Sequence, residues 1–480
     1  MRLFFVSWDG KKFGLSDVVA QLKEKSHEIV YWTYFREGSV DQSKFPHTIF
    51  HSVFDALEGK PANGVDTSDF QPPGADLMRE FQETELTVLT MMGKKYWRFS
   101  LEERKHLYYR FLGYWYGVLQ MYKPDAIVYS AIPHTVYDFV MYALAQKMRI
   151  KTIIFEPILL TTGWTIVMRD YKVGSSALID EIERNDNKQF SLADLRPSTR
   201  GHYQKYAEIG EDTPPLYTQQ ALSFYKGIGL FFIKLRSLWT SLTVHGDFSV
   251  FMTLLTYIPR RLGPNLKKEY LRVQSTADFA KKFVYATLQY QPESQTCPQA
   301  GVFADQLLMI ETLSAALPKD WFIYVKEHPA LWPVLGVKFY NFRPKGYYEA
   351  LAGLKNVKVV PVGTNSFQLI RHSQAVATGA GSVGWEAILR SKPVLVFGYP
   401  WYQHCEGAFK VKDTVSCKEA MQKIKKGFKI SQQKVINLLA CLDKVSVEAY
   451  FDSYTHEVSK IGVRQNIHNI VRAIETELQK

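Results

Sequence analysis

Between residues 277 and 402 short apolar runs alternate with helical patterns at a spacing that fits a parallel, doubly wound sheet. Strand candidates at 283–289, 321–325, 357–362, 375–378 and 394–397 are separated by helical patterns near 304–317, 347–354, 366–372 and 382–389. A strand followed by a helix and a further strand is the βαβ unit. The first third repeats the rhythm, with strands at 3–6, 29–35, 126–130 and 151–156 and helices near 15–25, 76–92, 101–121 and 135–148. The helix at 101–121 is rich in tyrosine and tryptophan, and an aromatic stripe at helical spacing belongs to a core. At 480 residues and 46% hydrophobic content, the chain exceeds one ordinary core and supplies two. The expected fold is α/β: one doubly wound domain over 1–160, a loosely patterned helical insertion over 161–276, a second doubly wound domain over 277–455, and a closing helix in 456–480 that packs back on the first domain.

The formal charge of +12, from 59 basic and 47 acidic residues, makes the surface attractive to anions such as nucleotide phosphates, acidic glycans or an anionic leaflet. The sequence carries no zinc-finger spacing, RNA-recognition signature or compact basic arm, so nucleic acid is not the expected partner. Cys297, Cys405, Cys417 and Cys441 show neither paired metal-ligand spacing nor the density of a disulfide framework, which suits a reducing cytoplasm. Residues 1–10 have too short an apolar core for a signal peptide and read as a first strand. Nowhere do about twenty apolar residues run without charge, as a membrane-spanning helix requires. Residues 224–261 mix Phe231, Phe232, Trp239 and Phe248 with Lys226, Lys234, Arg236, Arg260 and Arg261. Such helices lie in a membrane interface or pack on each other at the interdomain cleft, and the sequence supports both. The run Lys423, Lys425, Lys426 and Lys429 reads as a solvated helix face.

In open parallel sheets ligands bind beyond the carboxyl ends of the strands. In the second half those ends carry Gln289-Tyr290-Gln291-Pro292-Glu293, Lys326-Glu327-His328-Pro329, Pro361-Val362-Gly363-Thr364 and Thr378-Gly379-Ala380-Gly381-Ser382. The run Gly379 to Ala387 passes from strand to helix through glycines, which aims unpaired N–H groups and the positive helix end at a ligand and favours phosphate. It lacks both the Walker lysine and the dinucleotide glycine register. His328, beside Lys326 and Glu327, is placed to hydrogen-bond a diphosphate and to protonate a departing phosphate. Pro329 fixes the turn after it. Ser382 reads as an N-cap whose hydroxyl, with the N–H of Val383, cradles phosphate. Glu386, one turn on, either takes the hydroxyls of a ribose or is a glutamate favoured by the helix dipole.

These motifs, with Gly301 to Gln306 and Lys392 to Tyr402, resemble the nucleotide-binding half of bacterial capsule and surface-polysaccharide biosynthesis proteins, the family that includes the Kdo transferases of capsule assembly. The resemblance spans 281–402. It implies a GT-B-like fold, with two Rossmann-like domains facing a central cleft, donor on the second and acceptor on the first. It also implies a nucleotide pocket of Gln291, Glu293, Lys326, Glu327, His328, Pro329, Gly379, Gly381, Ser382, Val383 and Glu386. A His-Pro motif of this kind recurs in transferases that use cytidine nucleotides, so a CMP-linked acidic sugar is the expected donor. A CDP-polyol phosphotransferase, a nucleotide-sugar epimerase and a non-catalytic scaffold of polysaccharide assembly are the competing readings.

In the first domain the same strand-end logic selects Asp9, Pro133-His134, Asp138 and Glu156. A sugar transferase needs a group that deprotonates the acceptor hydroxyl, or a carboxylate nucleophile. Asp138 and Glu156 suit either role, and both also suit a structural one. The sequence thus leads to a metal-independent glycosyltransferase with His328, Asp138 and Glu156 as catalytic candidates. It needs no cofactor beyond its nucleotide-sugar substrate and takes a glycan or glycolipid acceptor. Its expected place is the cytoplasm, peripheral on the inner membrane.

Overall fold

Apolar runs build two sheets in the computed structural model, which describes residues 1–8, 13–35, 38–93, 95–158, 163–212, 265–291, 293–332 and 342–480. Strands β1 (Arg2–Val6), β2 (Glu28–Tyr34), β3 (Ile49–Ser52), β4 (Ala126–Tyr129), β5 (Lys151–Ile158) and β6 (Trp164–Met168) lie in the first. Strands β7 (Phe283–Thr287), β8 (Phe322–Lys326), β9 (Val357–Val359), β10 (Ala375–Thr378), β11 (Val394–Val396) and β12 (Ala408–Lys410) form the second, and β13 (Val447–Glu448) returns to the first. The orders are β13-β6-β5-β4-β1-β2-β3 and β12-β11-β10-β7-β8-β9. Apart from the antiparallel pairing of β6 with β5 and β13, both sheets are parallel and share one winding. Strand order reverses between β1 and β4 and between β7 and β10, and a crevice opens beyond the carboxyl ends at such a reversal. Leu3 pairs with Ala126, and Val284 with both Ile323 and Ala375, which keeps those ends level. β4 and β10 are buried at every position, as central parallel strands covered by helices on both faces must be.

The fold is therefore GT-B-like, with two Rossmann-like halves packed across a cleft. One hydrophobic cluster runs from Phe4, Trp115 and Tyr137 of the first half to Trp385, Tyr402 and Leu438. The aromatic helix Leu101–Tyr122 contributes Tyr108, Phe111 and Trp115 to it, so its stripe is core. All four cysteines are buried and unpaired, and Cys297 meets the Thr87 carbonyl of the other half at 3.5 Å. Lys423, Lys425, Lys426 and Lys429 are all exposed.

The chain divides differently from the expected segments. β6 extends the first sheet past 160, and the helices Ser176–Arg184 and Pro197–Tyr203 follow it. Residues 213–264, which include the aromatic and basic stretch 224–261, lie outside the described residues. Before 277, the helix Leu266–Val273 already belongs to the second half, because Tyr270 is buried with Val284 and Val325. The chain leaves that half after the helix Thr414–Lys425 rather than at 455. The helix Gln432–Val445 buries Val435, Leu438 and Leu442 and packs against Ser176–Arg184. Its sequence displays an apolar face without saying which sheet will cover it. β13 then pairs with β6, Val447 opposite Thr165. The helix Val463–Gln479 lays Ile467, Ile470, Val471 and Ile474 on the cluster that holds Val18, Leu22 and Trp8.

Asn466, fully buried, donates to the carbonyls of Phe13 and Tyr450 at 3.0 Å each and accepts from the Tyr450 N–H at 2.9 Å. Asn466→Ala strands these backbone groups, and the expected loss in denaturant unfolding is on the order of 3 kcal/mol. A loss below about 0.5 kcal/mol, the level of an ordinary surface substitution, contradicts this docking of the closing helix.

Candidate functional site

A cavity of about 400 Å³ opens over the carboxyl ends of β7 and β8, the loop after β9 and the start of the helix Ser382–Leu389. Lys326 ends β8, and its ammonium donates to the Thr364 carbonyl at 2.6 Å and the Ser366 hydroxyl at 2.7 Å. Burial pushes its pKa down to about 8, against the pull of Glu386. His328 accepts the Ala330 N–H at Nδ1, 3.3 Å away, so its neutral ring carries the proton on Nε2. Burial pushes this imidazole down to about 4, although Glu327 draws it up. At rest it therefore offers a hydrogen bond to phosphate, not the imidazolium proton that the sequence led us to expect. Pro329 and the exposed Glu293 line the same cavity.

Gly381, not Ser382, is the N-cap residue of the helix Ser382–Leu389. Ser382 is its first helical residue, and its hydroxyl favours the charged form of the Glu386 carboxyl. The first N–H groups of the helix, on Ser382 and Val383, have no intrahelical acceptor, and these residues line the cavity. Gly379 lies outside that lining and is a packing residue: a Cβ there would come within 2.5 Å of Gln289 Oε1 and 2.9 Å of the Ala300 side chain. At Gly381 it would meet Gln289 Nε2 at 2.6 Å. The turn is clamped from two sides, since Gln289 Oε1 accepts the Ala380 N–H at 3.4 Å and the Tyr402 hydroxyl donates to the Gly381 carbonyl at 2.5 Å. Burial raises the Glu386 carboxyl above its ordinary range, against Arg390, the Ser382 hydroxyl and Lys326.

Beneath this wall lies a buried ion pair. Arg343 and Glu327 are each 1% exposed, with Nε to Oε2 at 2.8 Å and Nη2 to Oε1 at 3.2 Å. Arg343 also donates to Gln291 Oε1 at 2.9 Å and the Gln289 carbonyl at 3.1 Å. Glu327 accepts from the Tyr348 hydroxyl at 2.7 Å and the His328 N–H at 2.8 Å. Gln306 Nε2 closes the network on Gln291 Oε1 at 3.1 Å, and Gln306 Oε1 takes the Gln289 N–H at 2.6 Å. Although burial opposes it, Glu327 holds the guanidinium pKa above its ordinary value. Two of the expected ligand-binding side chains are thereby committed elsewhere. Gln291 is absent from the cavity lining, and Glu327 borders the cavity with its carboxylate already engaged by Arg343, Tyr348 and the His328 N–H.

A second cavity, of about 240 Å³, lies between the halves and shares Gln295, Phe367, Ser382 and Glu386 with the first. The first half reaches it with Ala131, Glu156 and Pro157, and the second with Trp385, Trp401 and Tyr402. Burial pushes the Glu156 carboxyl up to about 8. His202 and Tyr206 enter from the segment after β6, and His202 Nε2 accepts the Trp385 indole N–H at 3.1 Å. Asp138 lines neither cavity; it is 4% exposed and accepts the Thr135 N–H at 2.7 Å, tying down the helix start, in place of the catalytic role expected of it. His134 is exposed, with Nδ1 2.7 Å from the Ile132 carbonyl. Asp9 lies outside the described residues. Arg343, Gln289, His202 and the Trp385–Trp401 pair are the residues that sequence reasoning did not assign to the site. The tryptophans stood in quoted motifs, whereas nothing local distinguishes Arg343 or His202.

Residues 242–428, less than half of the chain, match the family described as capsule polysaccharide biosynthesis protein. This bears out the resemblance drawn from residues 281–402. Curated proteins give no significant match. Among solved structures, the chain is similar to the Thermosulfurimonas dismutans KpsC β-Kdo 2,7-transferase at 11% identity and TM-score 0.31, over 74% of this chain and 88% of that one. Its similarity to the Neisseria meningitidis UDP-GlcNAc 2-epimerase bound to UDP-GlcNAc is 13% identity and TM-score 0.22, over 100% and 98%. Likenesses of this size carry no argument about ligand or reaction. No helix among the described residues is long and apolar enough to cross a membrane, and no group of three or more His, Cys, Asp or Glu among them is placed to hold a metal ion.

Because His328 titrates near 4 when folded and near its ordinary 6.5 when unfolded, only the unfolded chain takes up this proton between those values. Its contribution is an instability that grows as pH falls from about 6.5 to about 4. In urea unfolding across that window, His328→Asn should shallow the pH slope by up to one proton. An unchanged slope contradicts a half-buried, neutral His328.

Proposed function

We propose that the chain is a glycosyltransferase of capsule or surface-polysaccharide synthesis that holds a nucleotide-sugar over the second sheet and an acceptor against the first. The observation that carries this reading is convergence. Lys326, the Nε2–H of His328 and the first N–H groups of the helix Ser382–Leu389 border one cavity, which joins, through Ser382 and Glu386, a second cavity reached by Glu156. The first set neutralises a diphosphate or phosphodiester. Glu386 lines the same cavity, and to it we assign the ribose hydroxyls. The donor we assign is a CMP-linked acidic sugar such as Kdo or a nonulosonate, on the resemblance of His328-Pro329 to cytidine-nucleotide transferases.

In the reaction we assign, the bond from the anomeric carbon to the phosphate oxygen breaks and its electron pair leaves with the nucleotide. The acceptor oxygen bonds to that carbon, and its proton passes to Glu156 in the carboxylate form. Lys326, His328 and the helix end balance the charge on the leaving phosphate, which supports a reaction without a divalent cation. The acceptor is a glycan or glycolipid, and the chain works at the cytoplasmic membrane face as a peripheral protein.

The test is nucleotide release from CMP-Kdo and related donors, with and without acceptor, in the presence of EDTA. The reading predicts acceptor-dependent release insensitive to EDTA, and a kcat/KM that climbs toward pH 8 as Glu156 ionises and declines above it as Lys326 deprotonates. Glu156→Gln should remove the climbing limb and cost roughly 10²–10⁴ in rate. Release that requires manganese, a new phosphodiester linking the transferred group to the acceptor, or an altered sugar from donor alone each contradicts it.

A further inference from the structure

The cavity between the halves is built for something other than phosphate. Trp385 and Trp401 lie 4.8 Å apart between ring centroids, and Trp401 stands perpendicular to Tyr402 at 5.5 Å. Pyranose rings present C–H faces that are desolvated against such surfaces. Beside these rings is Gln299, 2% exposed and part of the lining. Its Nε2 donates to the Tyr399 carbonyl at 3.3 Å, while its Oε1 is buried without a hydrogen-bond partner. A buried acceptor left unmade costs about 1–3 kcal/mol, which a ligand hydroxyl would recover on a small turn of the side chain toward the cavity. Glu156 faces the same space, so the hydroxyl that passes its proton to this carboxylate also lies in the cavity. No lysine or arginine is among the described residues that line this cavity.

Together the geometry points to an uncharged pyranose as the occupant of this cavity, with a C–H face on the exposed side of Trp401 and a hydroxyl donating to Gln299 Oε1. If the chain is the transferase argued above, this ring is the terminal unit of the acceptor, so the acceptor ends in a neutral hexose or N-acetylhexosamine rather than a sugar acid. Charge is thus sorted between the cavities. The anionic donor stays with Lys326 and His328, and the neutral ring occupies the aromatic chamber.

Saturation-transfer NMR on the full chain tests this with three probes: methyl β-glucopyranoside, methyl β-galactopyranoside and the methyl glycoside of glucuronic acid, each with and without saturating CMP. Thermal shift by CMP is read in parallel, so that a failure of the nucleotide site is seen separately from a failure of the sugar site. We expect at least one neutral glycoside to bind and the glucuronide to bind at least tenfold more weakly. Trp401→Ala and Gln299→Leu should each weaken the neutral glycoside about fivefold or more and leave the CMP shift intact. Trp401→Phe should restore most of the binding lost in Trp401→Ala. Equal or tighter binding of the glucuronide, no binding of either neutral glycoside in both arms, or neutral binding indifferent to both variants overturns the assignment.

Discussion

The buried pair of Arg343 and Glu327 holds the ends of two adjacent strands in one place, and the site depends on it. Through Gln289 and Gln291 the guanidinium reaches the segment after β7, and through Glu327 it reaches the end of β8. Two ions taken from water at this depth are tolerable only because their hydrogen-bonding positions are answered. Tyr348, the His328 N–H and Gln306 supply the remaining partners. Removing one ion would strand the other at a cost of about 3–5 kcal/mol. The pair is therefore less a source of net stability than a constraint on geometry. It fixes the backbone from which Lys326 and His328 project, and it places Gln289 under the glycine turn.

The second constraint is close packing around that turn. Gln289, with Ala300 at 379 and Thr378 at 381, occupies the space a side chain would need at these two positions, while Tyr402 fills that space at 384 and holds the Gly381 carbonyl. Glycine here permits contact, and both residues keep a negative φ. The same Tyr402 and the neighbouring Trp385 wall the aromatic cavity, so the helix end at Ser382 and the proposed sugar chamber are two faces of one packed unit. Packing across the halves sets the distance at which Glu156 faces it.

The alternation of strands and helices was legible because central parallel strands are buried on both faces and leave unbroken apolar runs. Segment boundaries were less so. The helix Gln432–Val445 announces an apolar face, but its partner is set by tertiary packing. In Lys326-Glu327-His328 the three residues were read as one pocket, yet side chains of an extended segment alternate. All three border the cavity, but the Glu327 carboxylate is taken up by Arg343, whereas Lys326 and His328 keep polar hydrogens for a ligand. Attention to that period of two would have separated them. Arg343, sixteen positions on in irregular chain, carries no periodic signal, and only the need of a buried glutamate for a partner points to it. Asp138 followed the strand-end rule but serves as a local cap, since a first-turn aspartate satisfies backbone as readily as it serves chemistry.

In the proposed function Lys326 and His328, kept short of full protonation by burial, receive a phosphate. Calorimetric titration of CMP at pH 8.0, in two buffers of different ionisation enthalpy, addresses it directly. At that pH the phosphate monoester is already fully ionised, so proton uptake reports on the protein. With Lys326 near 8 in the free protein, an arriving dianion raises its pKa, and the account predicts net uptake of protons on binding. Binding with no buffer dependence, or with net proton release, contradicts it, as does the absence of binding.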